Sequence, residues 1–97
     1  GEPAPQENSI VLFYGDGCPH CAIVDEYLTK NKVRDIFSFK EKEVYYNANN
    51  AEELAYFAEK CGIKKEELGV PFLWDGSKCL IGDKDIIDFF KEKTDNK

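Results

Sequence analysis

The stretch that decides the fold is Ser9-Ile10-Val11-Leu12-Phe13-Tyr14-Gly15-Asp16-Gly17-Cys18-Pro19-His20-Cys21. Its first six residues form a continuous apolar run of strand length, which predicts a central strand covered on both faces. A glycine-containing break follows, and Pro19 suits the first position of a helix, where its missing N–H costs nothing. The sequence therefore predicts a strand, a short loop and a helix that begins at the two cysteines.

The two cysteines lie three residues apart across the first turn of the predicted helix, so their side chains share one side of it. Cys18 takes the cap position, where unpaired N–H groups and the helix dipole favour a thiolate. Cys21, one turn further in, is better shielded. This arrangement predicts a redox pair in which Cys18 attacks or carries a mixed disulfide and Cys21 resolves it.

Two residues stand between the cysteines. Pro19 stiffens the turn, and His20 can place a neutral or cationic ring beside Cys18. A cationic ring there would stabilise the thiolate and make the disulfide form more oxidising. The alternative is that His20 is an exposed helix residue with no functional role. Its position between the cysteines favours the functional interpretation.

A CxxC pair is also half of a zinc site. A zinc ribbon needs a second close pair, whereas the other two cysteines, Cys61 and Cys79, are far apart and the chain has a single His. We therefore expect no metal ligands, and a metal or iron–sulfur binding domain is the less favoured alternative.

Composition limits the class of protein. With 97 residues and 42% hydrophobic content, the chain can fill one core and is too apolar to be disordered. Its lysines are interleaved with acidic residues at a net charge of −6, so nucleic acid is not an expected partner. No apolar run approaches the roughly 18 residues of a membrane span. We expect a monomer with a flexible Pro-rich leader at 1–8 and one domain at 9–97.

The rest of the chain alternates strand and helix patterns. A short helical turn and a loop are expected within residues 33–40. The further predicted elements are a strand at Glu43–Tyr46, a helix capped by Asn50 and ended by Gly62, a strand at Val70–Trp74, a hairpin turn at 75–78, a strand at Cys79–Ile81 and a last helix capped by Asp83. The order is β-α-β-α-β-β-α, which predicts an α/β fold with a mixed four-stranded sheet and helices on both faces.

The segment Phe13–Cys21 resembles the active-site segment of the thioredoxin superfamily, and its tetrad resembles a DsbA-like CPHC motif. Gly69-Val70-Pro71 resembles the cis-proline loop of that superfamily, and Leu80-Ile81-Gly82-Asp83 resembles the turn after the hairpin of glutaredoxins. The resemblance covers the chain from Ser9 to about Lys93. It implies a thioredoxin-like fold of glutaredoxin length in which Pro71 is cis and packs beside the disulfide. It also implies that the Val70 backbone pairs with a substrate segment.

The chain departs from those families at positions that bear on mechanism. Glutaredoxins usually carry Tyr or Phe at the position of His20 and Thr at that of Gly69, which leaves glutathione binding open. Leu12 stands where thioredoxin has a buried carboxylate. Glu43 on the second predicted strand is a candidate to replace that proton acceptor, although a simply exposed residue is the simpler interpretation.

Cys61 and Cys79 need a separate explanation. Each is interpreted most simply as a small buried apolar side chain. In the topology that the resemblance implies, the helix of Cys61 and the hairpin of Cys79 meet at the end of the domain away from the CxxC pair. A structural disulfide between them is therefore a second hypothesis, and it would indicate an oxidising compartment.

The expected function is that of a thiol–disulfide oxidoreductase acting on protein dithiols and disulfides. We expect a redox partner protein and no cofactor, with glutathione as an alternative reductant. An extracytoplasmic location, periplasmic or exported, is favoured over the cytoplasm. The competing functions are a glutathione-dependent glutaredoxin-like reductase, the metal-binding domain and a redox-inactive interaction module. The intact CxxC argues against the last of these.

Overall fold

The central strand predicted from the apolar run is present and is the first strand of the described residues. The structure is a computed structural model and describes residues 7–95. The elements in chain order are β1 (Val11–Tyr14), α1 (Pro19–Lys30), α2 (Val33–Ile36), β2 (Lys40–Glu43), α3 (Ala48–Lys60), a 3-10 helix (Lys65–Glu67), β3 (Phe72–Trp74), β4 (Cys79–Ile81) and α4 (Asp83–Asp95).

The four strands form one mixed sheet in the order β2-β1-β3-β4. β1 pairs in parallel with β2, and it pairs antiparallel with β3 on its other side. β3 and β4 form an antiparallel hairpin. The α/β class, the parallel first half and the antiparallel second half are confirmed.

Helices cover both faces of the sheet because neighbouring residues of β1 point to opposite sides. Val11 and Phe13 point toward α3, and Leu12 points toward α1 and α4. The buried residues on the α3 side are Val11, Phe13, Leu54, Phe57, Ala58, Phe72 and Trp74. Those on the other side are Leu12, Val24, Leu28, Val33, Leu73, Ile86 and Phe90. β1 is thus buried on both faces, as its apolar sequence predicted.

The second strand lies earlier in the chain than predicted. The expected strand at Glu43–Tyr46 is wrong: β2 ends at Glu43, which pairs with Tyr14, and Tyr45 and Tyr46 are exposed beyond it. The carboxylate of Glu43 accepts the N–H groups of Tyr45 and Tyr46, which turns the chain out of the sheet. This local turn outweighs the β propensity of the tyrosines. The strand itself is charged, as is common at the edge of a sheet.

The start of α3 also differs from the prediction. The cap is Asn47, whose Oδ1 accepts the N–H of Asn50 at 2.9 Å. The predicted cap, Asn50, lies in the first turn, and its side-chain amide donates to the carbonyl of Glu43 at 2.9 Å. At the other end, Cys61 is the C-cap and Gly62 follows with φ 72°, so the predicted stop at Gly62 is confirmed.

Glu7, which we assigned to the leader, contacts the folded domain. Its carboxylate accepts a hydrogen bond from the hydroxyl of Tyr56 and lies 3.1 Å from the Lys60 ammonium. Its carbonyl accepts the indole N–H of Trp74 at 2.8 Å. These contacts make Glu7 part of the domain, while residues 1–6 of the expected leader lie outside the described residues.

Cys61 and Cys79 lie at disulfide distance, with their Cα atoms 6.2 Å apart. The bond joins the end of α3 to the start of β4, and both cysteines pack against the core on the α3 side. It spans 18 residues of chain and so ties the helix, the 3-10 segment and the hairpin into one unit.

Removing this disulfide by the double substitution Cys61→Ala/Cys79→Ala should lower the free energy of unfolding. A loop of this length predicts a loss of about 3 kcal/mol through the restored entropy of the unfolded chain. Denaturant unfolding of the two oxidised proteins measures the difference. Equal stabilities would contradict a structural role for the bond.

Candidate functional site

The two cysteines of the CxxC motif meet at the start of α1. Cys18 is the N-cap in an extended conformation, and its sulfur accepts the N–H of Cys21 at 3.1 Å. The N–H of Cys18 donates to the carbonyl of Gly15 at 3.1 Å, which closes the loop before the helix. The sulfurs are at disulfide distance, with Cα atoms 5.2 Å apart. The side chains are almost covered, since Cys18 is 8% and Cys21 6% exposed.

Backbone groups from two other segments surround the sulfurs. The N–H of Gly15 points at the Cys21 sulfur at 3.5 Å. On the other side, the Cys18 sulfur lies 3.8 Å from the carbonyl oxygen of Val70. The Val70–Pro71 peptide bond is cis and Pro71 is buried. The Pro71 carbonyl accepts the N–H of Gly82 at 3.0 Å, which joins this loop to the start of α4.

His20 is held by an acidic residue that the sequence did not single out for this role. Its Nδ1 lies 2.9 Å from Oδ2 of Asp83, at the first residue of α4. The hydrogen bond from His20 lowers the pKa of the Asp83 carboxyl below its ordinary value, and the N–H of Lys84 adds to this effect. The His20 side chain remains 69% exposed, and Pro19 beside it is exposed at the first helical position. The prediction that Asp83 caps the last helix is wrong by one residue: Asp83 is the first residue of α4, and the carbonyl of the preceding Gly82 accepts the N–H of Ile86 at 3.2 Å.

Glu43 binds the backbone of the loop that precedes the cysteines. Its carboxylate oxygens accept three backbone N–H groups at 2.9 Å each, from Asp16, Tyr45 and Tyr46. Desolvation raises the pKa of Glu43, but the three N–H donors outweigh it and hold the pKa below the ordinary value. The hypothesis of a proton acceptor and the simpler interpretation of an unengaged residue both missed this role.

Tyr45 is a second contact to the same loop that sequence reasoning missed. Its ring covers Gly15 so closely that a Cβ atom at Gly15 would overlap the ring carbons. Tyr45 nevertheless remains 56% exposed, beside the cysteine-bearing loop. The only sequence feature that pointed to this contact was the glycine between the strand and the CxxC motif. A glycine shows that space is restricted but does not identify Tyr45 as the neighbouring ring.

A cleft of about 580 Å³ lies beside both cysteines, between α1 and the edge of the sheet. Leu12, Leu28 and Ala22 contribute apolar parts of its lining, so an apolar residue lies where the family comparison suggested a carboxylate. At its rim Arg34 is held by Glu41 at 2.8 Å and Asp25 at 2.7 Å. Hydrogen bonding to Glu41 raises the pKa of Arg34 above its ordinary value despite partial burial.

The comparison with protein families and curated proteins found no relative of this chain. Within residues 7–95, no group of three or more His, Cys, Asp or Glu side chains is arranged to hold a metal ion. The helices in this part of the chain are too short or too polar to cross a membrane.

The contact between His20 and Asp83 predicts a pH-dependent stability difference. Because the pKa of Asp83 is lowered on folding, its contribution is present above the ordinary Asp value of about pH 4 and is lost as pH falls through the lowered value. Asp83→Asn should therefore be less stable than the parent at pH 6 and approach it near pH 2. Denaturant unfolding at both pH values measures the difference.

Asp85→Asn is the matched control, since Asp85 lies in the same first turn of α4 and is exposed. It shares any interaction with the helix dipole but not the contact to His20. If both variants lost stability equally, the His20 contact would make no contribution.

Proposed function

We propose that this chain is a thiol–disulfide oxidoreductase with a thioredoxin-like fold, which acts on protein dithiols and disulfides through Cys18 and Cys21. The observation that carries the proposal is the Cys18 sulfur at the N-cap of α1, bonded to the N–H of Cys21 and close to the Val70 carbonyl. A sulfur at this position is stabilised as a thiolate by a backbone donor and by the helix dipole. The Val70–Pro71 loop, which the resemblance to the thioredoxin superfamily implies beside the disulfide, lies against this sulfur and supports the same assignment.

The chemistry is a pair of thiol–disulfide exchanges. In the reducing direction the Cys18 thiolate attacks one sulfur of a substrate disulfide, and the other substrate sulfur leaves as a thiolate and takes a proton from water. The Cys21 thiolate then attacks the Cys18 sulfur and releases the first substrate sulfur. The protein loses two electrons and ends as the Cys18–Cys21 disulfide. Oxidation of a substrate dithiol is the reverse of this sequence.

The segment at Val70 and Pro71 is proposed to receive the substrate chain. Pro71 has no N–H and lies buried, whereas the Val70 residue is half-buried with its carbonyl facing the Cys18 sulfur. An extended substrate segment that donates a hydrogen bond to this carbonyl would bring its own cysteine to Cys18. The backbone contact depends little on substrate sequence, which suits an enzyme that acts on several proteins.

Location and partners belong to the same proposal. The Cys61–Cys79 bond supports an extracytoplasmic compartment, where structural disulfides persist. A protein partner would then restore the oxidised or reduced form of the Cys18–Cys21 pair after each cycle. Glutathione as the reductant is the alternative, which an assay on a small mixed disulfide with and without glutathione distinguishes.

The roles of the two cysteines are tested by trapping. Cys21→Ser should accumulate a mixed disulfide with a peptide disulfide substrate, because Cys18 attacks and nothing resolves the product. Cys18→Ser should not accumulate one, since Cys21 lies within the first turn of α1, whereas Cys18 is at its cap. Mass spectrometry of the quenched reaction measures the adduct, and equal trapping by the two variants would contradict the assignment.

The role of His20 is tested by the reduction potential of the Cys18–Cys21 pair. A cationic His20 favours the reduced thiolate form, so His20→Tyr should lower the potential by roughly 30 mV, the equivalent of about 1.4 kcal/mol for two electrons. Equilibration with a thiol buffer of known potential measures it. Lys30→Gln is the control, because it removes a positive charge at the far end of α1. An unchanged potential in His20→Tyr would leave His20 without a redox role.

A further inference from the structure

The loop between β1 and α1 is contacted by the last residue of β2 and by the residues that follow it. The Glu43 carboxylate accepts the N–H of Asp16, and the Tyr45 ring covers Gly15. The Val44 N–H donates to the carbonyl of Tyr14 at 2.9 Å, which extends the strand pairing to the residue before the loop. We call Glu43 and Tyr45 together the loop clasp. It contacts the loop at two successive residues, by a charge-assisted hydrogen bond and by a ring face.

The two peptide groups of Gly15 are the part of the loop that faces the cysteines. Its carbonyl accepts the N–H of Cys18, and its N–H points at the sulfur of Cys21. A donor directed at a sulfur favours the charged thiolate, which is the attacking form of a cysteine. The orientation of Gly15 therefore bears on Cys21, the resolving residue of the proposed mechanism.

We propose that Glu43 and Tyr45 are positioning residues for the resolving step, because they contact Asp16 and Gly15 and so help to keep the Gly15 N–H directed at the Cys21 sulfur. The inference rests on the proposed function and adds a role for residues outside the CxxC segment. The donor to the Cys18 sulfur is the N–H of Cys21 within α1, and neither clasp residue contacts that N–H. Loss of the clasp should thus slow the attack by Cys21 and leave the attack by Cys18 nearly unchanged.

The two attacks are separated by reacting the reduced protein with a chromogenic aromatic disulfide, dithiobisnitrobenzoate. Cys18 attacks first and releases one coloured thiolate. Cys21 then attacks the Cys18 sulfur, gives up its proton to water, and releases the second coloured thiolate as the protein disulfide forms. Stopped-flow absorbance resolves the two releases, and the pH dependence of the second reports the ionisation of Cys21.

Glu43→Gln and Tyr45→Ala should each slow the second release by about threefold or more and move its pH profile to higher pH. The threefold value follows because a tenfold fall in the Cys21 thiolate fraction is partly offset by a rise of about threefold in the nucleophilicity of the thiolate. The first release should change little. Gly15→Ala should act in the same direction, since its methyl group displaces the Tyr45 ring.

Glu53→Gln and Tyr46→Ala are the matched controls. Glu53 pairs with Lys42 of β2 at 2.8 Å, and the Tyr46 side chain is exposed while only its backbone N–H reaches Glu43. Both should retain the parent's second release. An unchanged second release in the clasp variants, or an equal slowing of both releases, would overturn the inference. A parent protein that gave only the first release would overturn the proposed function itself.

Discussion

The hydrogen bond from the N–H of Cys21 to the sulfur of Cys18 is the interaction on which the site depends. It exists because β1 stops at Tyr14 and the chain enters α1 four residues later, with Pro19 at the first helical position. A helix that began one residue earlier or later would place a different side chain at the cap and turn the two sulfurs apart. The central strand, buried on both faces, therefore fixes the position of the Cys18 sulfur as well as the core.

Long, uninterrupted apolar patterns were the part of the fold that the sequence could predict. β1 follows from an apolar run that is buried on both faces, and the cap at Cys18 follows from the proline after it. The hairpin of β3 and β4 is present as predicted, although β3 begins at Phe72, two residues later than the predicted start at Val70. The second strand could not be predicted in the same way. Lys40–Glu43 is an edge strand of alternating charges, and its pairing to β1 comes from the register of the sheet rather than from its own composition.

Contacts between distant segments were the part of the site that the sequence could not predict. Cys18 and Cys21 are close in the chain, so their spacing alone brings them together. The hydrogen bond between His20 and Asp83 joins residues 63 positions apart, and that between Asp16 and Glu43 joins residues 27 apart. Neither pair has a local pattern, because each depends on where the end of one element meets the start of another. The sequence singled out Glu43 as a possible proton acceptor near the cysteines but did not predict that its carboxylate binds the N–H of Asp16.

The charges near the cysteines determine which groups would stabilise a Cys18 thiolate. His20 is the cationic candidate next to Cys18, but its Nδ1 is bonded to a carboxylate whose lowered pKa keeps it charged, so much of the positive charge is offset. The apolar Leu12 in the neighbouring cleft adds no charge of either sign. Stabilisation of a Cys18 thiolate would then come mainly from the Cys21 N–H and the start of α1, both of which are fixed parts of the backbone. In the proposed mechanism the histidine would adjust the reduction potential, while the start of α1 would stabilise the thiolate.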